Sequence, residues 1–473
     1  MRGKGIIMKK ILLLVTGMMM AGCASVQTVK PEMLKFPELR TVTAPHYSRE
    51  KLDNGMIVFL MEDRSLPLVR FQALIRTGSI YEPAEKTGLA DMTLETLRTG
   101  GAGKISGDEI DSALENIGAS ISAGTDWDVA SVGGLSYKKN FLMVFDIFRS
   151  MLTEPSFSQD KIDLCVIGKK GAISRRNDDI SDLADREFRR LVYGGESPYA
   201  RTEEYETIDN VSREDIVNFH RKYFHPENVI LGIWGDFSTP EMLKTVREEF
   251  GSWKSGGIIR IGLPPVEFPP ATSTNLIVRK DATQSVIIMG HAGIRRDHPD
   301  YAAAVILSRI LGAGWYSRFS KSLRQEKGLA YDIWASFIPE YDYPGLFIAK
   351  SQTRQEKTSE TVGLMKEEIA SMKQGVTDQE LSAAKEGILN SEVFWSDTKD
   401  KIITRLMRYE YYGYPFDYPE KLIDGVKKVT KEDVVRVAKE LLFPENLTLL
   451  VVGNPDKFDS PLPSGTRIIK LNP

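Results

Sequence analysis

Histidine and cysteine are scarce in this chain: five histidines and two cysteines among 473 residues. Two cysteines, Cys23 and Cys165, do not write a disulfide framework. Cys165, set in Ile-Asp-Leu-Cys-Val-Ile, reads as a small core residue. No two histidines lie four apart, and His220 and His225, at a spacing of five, would point about 140° from one another on a helix. A self-contained histidine metal site is therefore not expected. An excess of charge of one sign is missing too: 62 basic against 65 acidic residues leave a formal net charge of −3. That balance gives no clustered basic face of the kind nucleic acid requires. Beyond the N-terminus no apolar run is long enough to span a bilayer.

The N-terminus reads as an export signal. Arg2, Lys4, Lys9 and Lys10 precede the apolar run Ile11 to Met20, which is too short for a membrane span. The run ends Met20-Ala21-Gly22-Cys23, which resembles a bacterial lipobox and implies cleavage before Cys23 and acylation of that cysteine. Ala24 and Ser25 lack the aspartate associated with inner-membrane retention, which favours the outer membrane facing the periplasm. The alternative is an ordinary secretory signal with an incidental cysteine, and Met8 is an equally good start. The expected organisation is a signal peptide over 1–22, a proline-bearing tether over 23–46, one domain over 47–253, a linker over 254–272 and a second domain over 273–458.

That division rests on an internal repeat. Ser212-Arg213-Glu214-Asp215-Ile216-Val217 matches Thr430-Lys431-Glu432-Asp433-Val434-Val435, Pro226-Glu227-Asn228 matches Pro444-Glu445-Asn446, and Gly235-Asp236 matches Gly453-Asn454. All the pairs share one ungapped offset of 218, so the chain holds two similar domains and not a solenoid. Each copy reads as a capped helix, a Pro-Glu-Asn turn and an apolar strand, Val229 to Trp234 and Leu447 to Val452. Elsewhere, Asn54-Gly55 predicts a hairpin, Val69 to Ala73 and Ser285 to Gly290 predict strands, and Ser106 with Glu109 forms a capping box ahead of a helix. Strands and helices intermixed in this way fit an α+β class.

The most informative stretch is Gly88 to Gly101. Leu89, Met92, Thr96 and Leu97 make one apolar stripe of a short helix, and Asp91, Leu94, Glu95 and Arg98 make a second stripe. Asp91 and Glu95, four apart, point the same way, which is how a zinc helix presents two ligands. The plain reading is a solvated face on which Glu95 pairs with Arg98 at i+3.

The words around this helix resemble the insulinase/pitrilysin family of zinc peptidases, where Gly-Leu-Ala leads into an inverted His-x-x-Glu-His motif. The motif positions fall here on Asp91, Met92, Thr93, Leu94 and Glu95, and the family's third ligand, a glutamate, aligns with Ala172. Both histidines and the catalytic glutamate are absent, so the resemblance implies no zinc site on this chain. A second resemblance is local. Leu311-Gly312-Ala313-Gly314-Trp315-Tyr316-Ser317-Arg318-Phe319, leading to Leu323-Arg324-Gln325-Glu326-Lys327-Gly328-Leu329-Ala330-Tyr331, is similar to the family's non-metal domain. There an arginine and a tyrosine, seven apart, contact the substrate; Arg324 and Tyr331 hold those positions. Without the family they read as a surface helix arginine and a half-buried strand residue.

The family implies two similar α+β domains, each a mostly antiparallel sheet with helices on one face, arranged as a clam-like pair around a peptide cavity. It also implies a zinc-less subunit that pairs with a zinc-bearing homologue, so that zinc sits on the partner chain and Arg324 and Tyr331 serve a shared peptide substrate. Two alternatives remain open: a catalytically inactive binding or assembly protein, and a stand-alone metallopeptidase using Asp91 and Glu95.

Overall fold

The computed structural model describes residues 46–257, 262–266, 268 and 273–471. The expected signal peptide, Cys23 and nearly all of the tether lie outside the described residues. Two antiparallel strands, β1 (Ser48–Lys51) and β2 (Ile57–Glu62), flank the Asn54-Gly55 turn, with Lys51 opposite Ile57. Then come β3 (Leu68–Ile75), β4 (Ser120–Thr125), β5 (Ala130–Tyr137) and β6 (Val229–Gly235). They form one six-stranded sheet in the order β1-β2-β6-β3-β5-β4, in which only β2 and β6 run parallel.

The second half repeats the plan with β7 (Thr274–Val278), β8 (Gln284–Ala292), β9 (Ala330–Ile338), β10 (Leu346–Arg354), β11 (Thr448–Gly453) and β12 (Arg467–Ile468). Its order is β12-β7-β11-β8-β10-β9, so β7-β11-β8-β10-β9 superposes in plan on β2-β6-β3-β5-β4. The sequence repeat is thus a repeat of topology. Its capping boxes are both formed: Ser212 Oγ accepts from the Asp215 amide at 3.2 Å and Thr430 Oγ1 from the Asp433 amide at 3.2 Å. In each case the aspartate returns a bond to the cap residue's own amide.

Each sheet buries one face against helices of its own half. In the first, Val58, Leu60, Phe71 and Ile233 pack with the helices Leu89–Thr99 and Phe141–Thr153. In the second, Ile287, Met289 and Val451 pack with Tyr301–Leu311 and Lys431–Leu441. The opposite faces are closed by exchange. Helix Lys399–Tyr412, from the second half, lays Ile402, Ile403, Leu406 and Met407 on Phe59, Met61 and Ile230 of the first sheet. Helix Ile180–Tyr193, from the first half, lays Leu183, Ala184, Phe188 and Val192 on Val286, Ile288 and Leu450 of the second. A fully buried aliphatic or aromatic side chain contributes about 1.5–3 kcal/mol. Three or four such residues per exchanged helix amount to several kcal/mol on each sheet, enough to tie the halves into one body.

Candidate functional site

Helix Leu89–Thr99 begins at Gly88, which has no side chain to cap it. Glu82 supplies the cap from outside, accepting the amides of Gly88 at 2.9 Å and Ala90 at 2.8 Å. Burial pushes this carboxyl up to about 7, although both amide bonds pull it the other way. Met92, Thr93, Leu94, Thr96 and Leu97 are all fully buried. The expectation of a solvated second stripe therefore fails at Leu94, and the Glu95–Arg98 pair does not form. Arg98 turns instead to Asp111, at 2.7 Å, and donates to the Ile121 carbonyl at 2.6 Å, so a carboxylate on the neighbouring helix and a carbonyl of the β4 edge together take the place of Glu95. Glu95 stays exposed and lies against the buried Cys165 thiol, which burial and that carboxylate together push up.

The position of the first motif histidine, Asp91, is occupied by an ion pair. Lys169, on helix Gln159–Arg175, donates from Nζ to Asp91 Oδ2 and, at 2.9 Å, to Glu203 Oε1. Burial pulls this ammonium down, but the two carboxylates outweigh it and hold the group above its ordinary value. Ala172 follows one turn further along the same helix. Asp91 and Ala172 both line a cavity of about 500 Å³, together with Glu82, Trp127 and Arg201. The motif positions thus present two carboxylates, a buried leucine where the base would stand and a methyl group where the third ligand would stand. An internal cation already neutralises one of the carboxylates. No group of three or more His, Cys, Asp or Glu among the described residues could hold a metal ion. This donor set does not fit zinc.

Two of the histidines, His220 and His291, have structural places. His220 bonds through Nε2 to the Leu152 carbonyl at 3.0 Å and stacks on Phe224, and burial pulls it down to about 4. His291 is buried against Phe347 and is likewise pulled down to about 4.

Arg324 lies in a wide-turn helical stretch, Ser320–Glu326, and Gly328 reverses the chain in the left-handed region at φ 59°. Tyr331 then follows as the second residue of β9, the edge strand of the second sheet, and is 81% exposed, not half-buried. The structure brings the two together: the Arg324 guanidinium lies 4.5 Å from the Trp315 ring centroid and 5.6 Å from that of Tyr331. Trp315 is itself 68% exposed. Among the described residues no hydrogen bond or ion pair engages the Arg324 guanidinium. Neither residue lines the cavity at Asp91. Sequence reasoning places Trp315 in the glycine-rich turn but gives it no role; its position just ahead of Arg324 is the available signal.

A duplicated α+β fold with a degenerate inverted motif on the first helix defines the class. The chain belongs to the insulinase family, peptidase family M16: residues 58–178 match the family's insulinase model and residues 210–388 its peptidase M16 inactive domain. Among its relatives is an uncharacterized zinc protease, YmxG, of Bacillus subtilis, 23% identical over 86% of this chain and 98% of that protein. A protein of Helicobacter pylori described as the non-peptidase homolog YmxG is 21% identical over 85% of this chain and 92% of that one. The fold matches the crystal structure of a peptidase M16 inactive domain from Pseudomonas fluorescens with a TM-score of 0.78, at 23% identity, over 88% of this chain and 100% of that one.

Proposed function

We propose that this chain is the substrate-binding subunit of a two-chain zinc endopeptidase of the bacterial envelope, with the zinc held by a homologous partner. The observation that carries the reading is the contrast between its two sites. The metal positions are closed by the Lys169–Asp91 ion pair, while an exposed Tyr331 stands beside a partly buried Arg324 whose guanidinium, among the described residues, meets only the Trp315 and Tyr331 rings. Peptide hydrolysis places negative charge on the scissile carbonyl oxygen, and donors aimed there lower the barrier. An arginine fork and a phenol can fix a peptide backbone and share that charge, the second without a charge to desolvate. The envelope location rests on the N-terminal basic and apolar segments and Cys23, read from sequence alone.

The test is co-expression with a family member bearing an intact His-x-x-Glu-His. A stable heterodimer that cleaves peptides is expected. In that complex Arg324→Ala and Tyr331→Phe lower turnover by about a hundredfold to a thousandfold, leaving assembly and zinc content unchanged. A partner fully active alone that never co-purifies would end this reading. A second reading, an inactive binding or assembly protein, draws support from the Helicobacter relative described as a non-peptidase homolog. It predicts a complex whose peptidase rate does not respond to either substitution. A stand-alone metallopeptidase using Asp91 and Glu95 is disfavoured, because Lys169 already neutralises Asp91.

A further inference from the structure

The fold repeat gives each half a cavity beside one of the exchanged helices. Helices Ile180–Tyr193 and Lys399–Tyr412 are equivalents of equal length, 14 residues each, and Arg186 on the first corresponds to Arg405 on the second. Trp127 and Tyr341 likewise lie in equivalent hairpins, β4–β5 and β9–β10. Arg186 and Trp127 line the cavity at Asp91; Arg405 and Tyr341 line a second cavity, of about 400 Å³. The two cavities occupy equivalent places in the repeat but differ in charge. The first mixes Glu82, Asp91, Asp126 and Glu203 with Arg176, Arg186 and Arg201, whereas no acidic residue is among those lining the second.

Its cations are Arg296, Lys401, Arg405 and Arg408. The last three recur at i, i+4 and i+7 on helix Lys399–Tyr412 and so share one face. Of the four, Lys401 alone is paired with a carboxylate, Asp397 at 2.9 Å. Arg405 donates to the Trp395 carbonyl at 3.1 Å and Ser396 Oγ at 2.9 Å, which are neutral. Arg296 lies 4.5 Å from the Tyr341 ring centroid, and its buried Nε has no partner. Among the described residues no hydrogen bond or ion pair engages the Arg408 guanidinium. Glu340, beyond the lining, feels the charges of Arg296 and Arg408, but its own burial pushes it toward the neutral acid. The rest of the wall is flat and largely apolar: Tyr409, Tyr418, Trp395 and Leu422.

A cluster of cations short of counter-charge repels itself, and arginine forks match planar oxyanions. Aromatic walls add area for a flat ligand body, and the volume suits a small molecule. We propose that this second cavity binds a small ligand carrying an oxyanion, carboxylate or phosphate, on an aromatic body. Such a site is independent of the peptidase reading.

Isothermal titration of the purified mature chain tests this with phenylacetate, phenyl phosphate and neutral phenylacetamide. Saturable binding of at least one anion is expected, with the amide weaker by about tenfold or more. Whichever anion binds identifies the source as carboxylate or phosphate. Arg408→Gln, which breaks no ion pair among the described residues, is expected to weaken that anion by about tenfold and leave the melting temperature unchanged. No saturable binding of either anion, an amide that binds equally, or a folded Arg408→Gln chain that binds like wild type would each overturn the proposal. The amide comparison uses the wild-type chain, so it stands even where the variant does not fold.

Discussion

Lys169 is the residue that closes the metal position, and its worth can be measured. Its side chain is 12% exposed, while Asp91 and Glu203 are 40% and 27% exposed, so the ammonium is the buried member of the group. Removing one partner of a buried pair leaves uncompensated charge, which costs more than the pair itself contributes. The partial exposure of both carboxylates moderates that penalty. Lys169→Met is therefore expected to destabilise the chain by about 1–3 kcal/mol in urea denaturation. Adding Asp91→Asn to Lys169→Met should recover part of the loss, because the carboxylate left without its cation is then neutral. A double variant no more stable than Lys169→Met alone would mean that the packing of the lysine stem, and not its charge, matters. Asp91 was legible in the sequence as a motif position, but its partner was not. Lys169 lies 78 residues away and carries no local signature. The Glu95–Arg98 pair failed for the same reason: the rule of neighbours three or four apart on one helix yields where other elements bring two acceptors at once.

At the scale of elements, legibility follows the range of the forces. The Asn54-Gly55 turn, the box at Ser106 and the helix caps at Ser212 and Thr430 are formed as read, since each is closed by residues within four positions of one another. The exchanged helices are different. Their amphipathic faces are ordinary, and only the assembled sheets decide which half they cover. Helix Lys399–Tyr412 approaches β6 closely at Gly232, where an added Cβ would lie 2.2 Å from the Met407 sulfur. Met407 is fully buried and has little room to retreat, so Gly232→Ala should cost about 1–3 kcal/mol by overpacking. Met407→Ala alone should also destabilise, by roughly 2–5 kcal/mol. In the double variant the two costs should fall short of additive, because the new methyl group enters the space the thioether leaves. Additive costs in denaturant titration would show that the clash is relieved elsewhere.

At the scale of the whole molecule, the halves meet where the β4–β5 and β9–β10 hairpins bring four carboxyl groups within reach of one another. Asp128 is the most constrained: Tyr412 donates to its Oδ1 at 3.0 Å and Tyr411 donates to its backbone carbonyl. Burial pushes the Asp128 carboxyl from its ordinary 3.8 up to about 6, helped by the charges of Asp342, Asp126 and Glu340 and opposed by the Tyr412 bond. Burial likewise pushes Glu340 and Asp342 up, against Arg296, Arg189, Arg295 and Arg76. A carboxyl whose folded value is raised favours the folded chain while protonated, and that contribution is lost as pH rises from about 4 through about 6. His220 and His291 act in the opposite sense. Both are held near 4 when folded, so acidification below their ordinary 6.5 costs stability. The pH profile of the wild type therefore mixes the two, and a variant is needed to separate them. Asp128→Asn keeps an acceptor for the Tyr412 hydroxyl and removes the titration. Relative to this variant, the wild type should lose stability between pH 4 and pH 6.5 by about 1–3 kcal/mol in all, and the two curves should run parallel above that window. Urea midpoints collected across the range measure the difference directly. Parallel curves throughout would mean that Asp128 titrates as it does in the unfolded chain, and that the junction between the halves does not feel the protonation of this carboxyl.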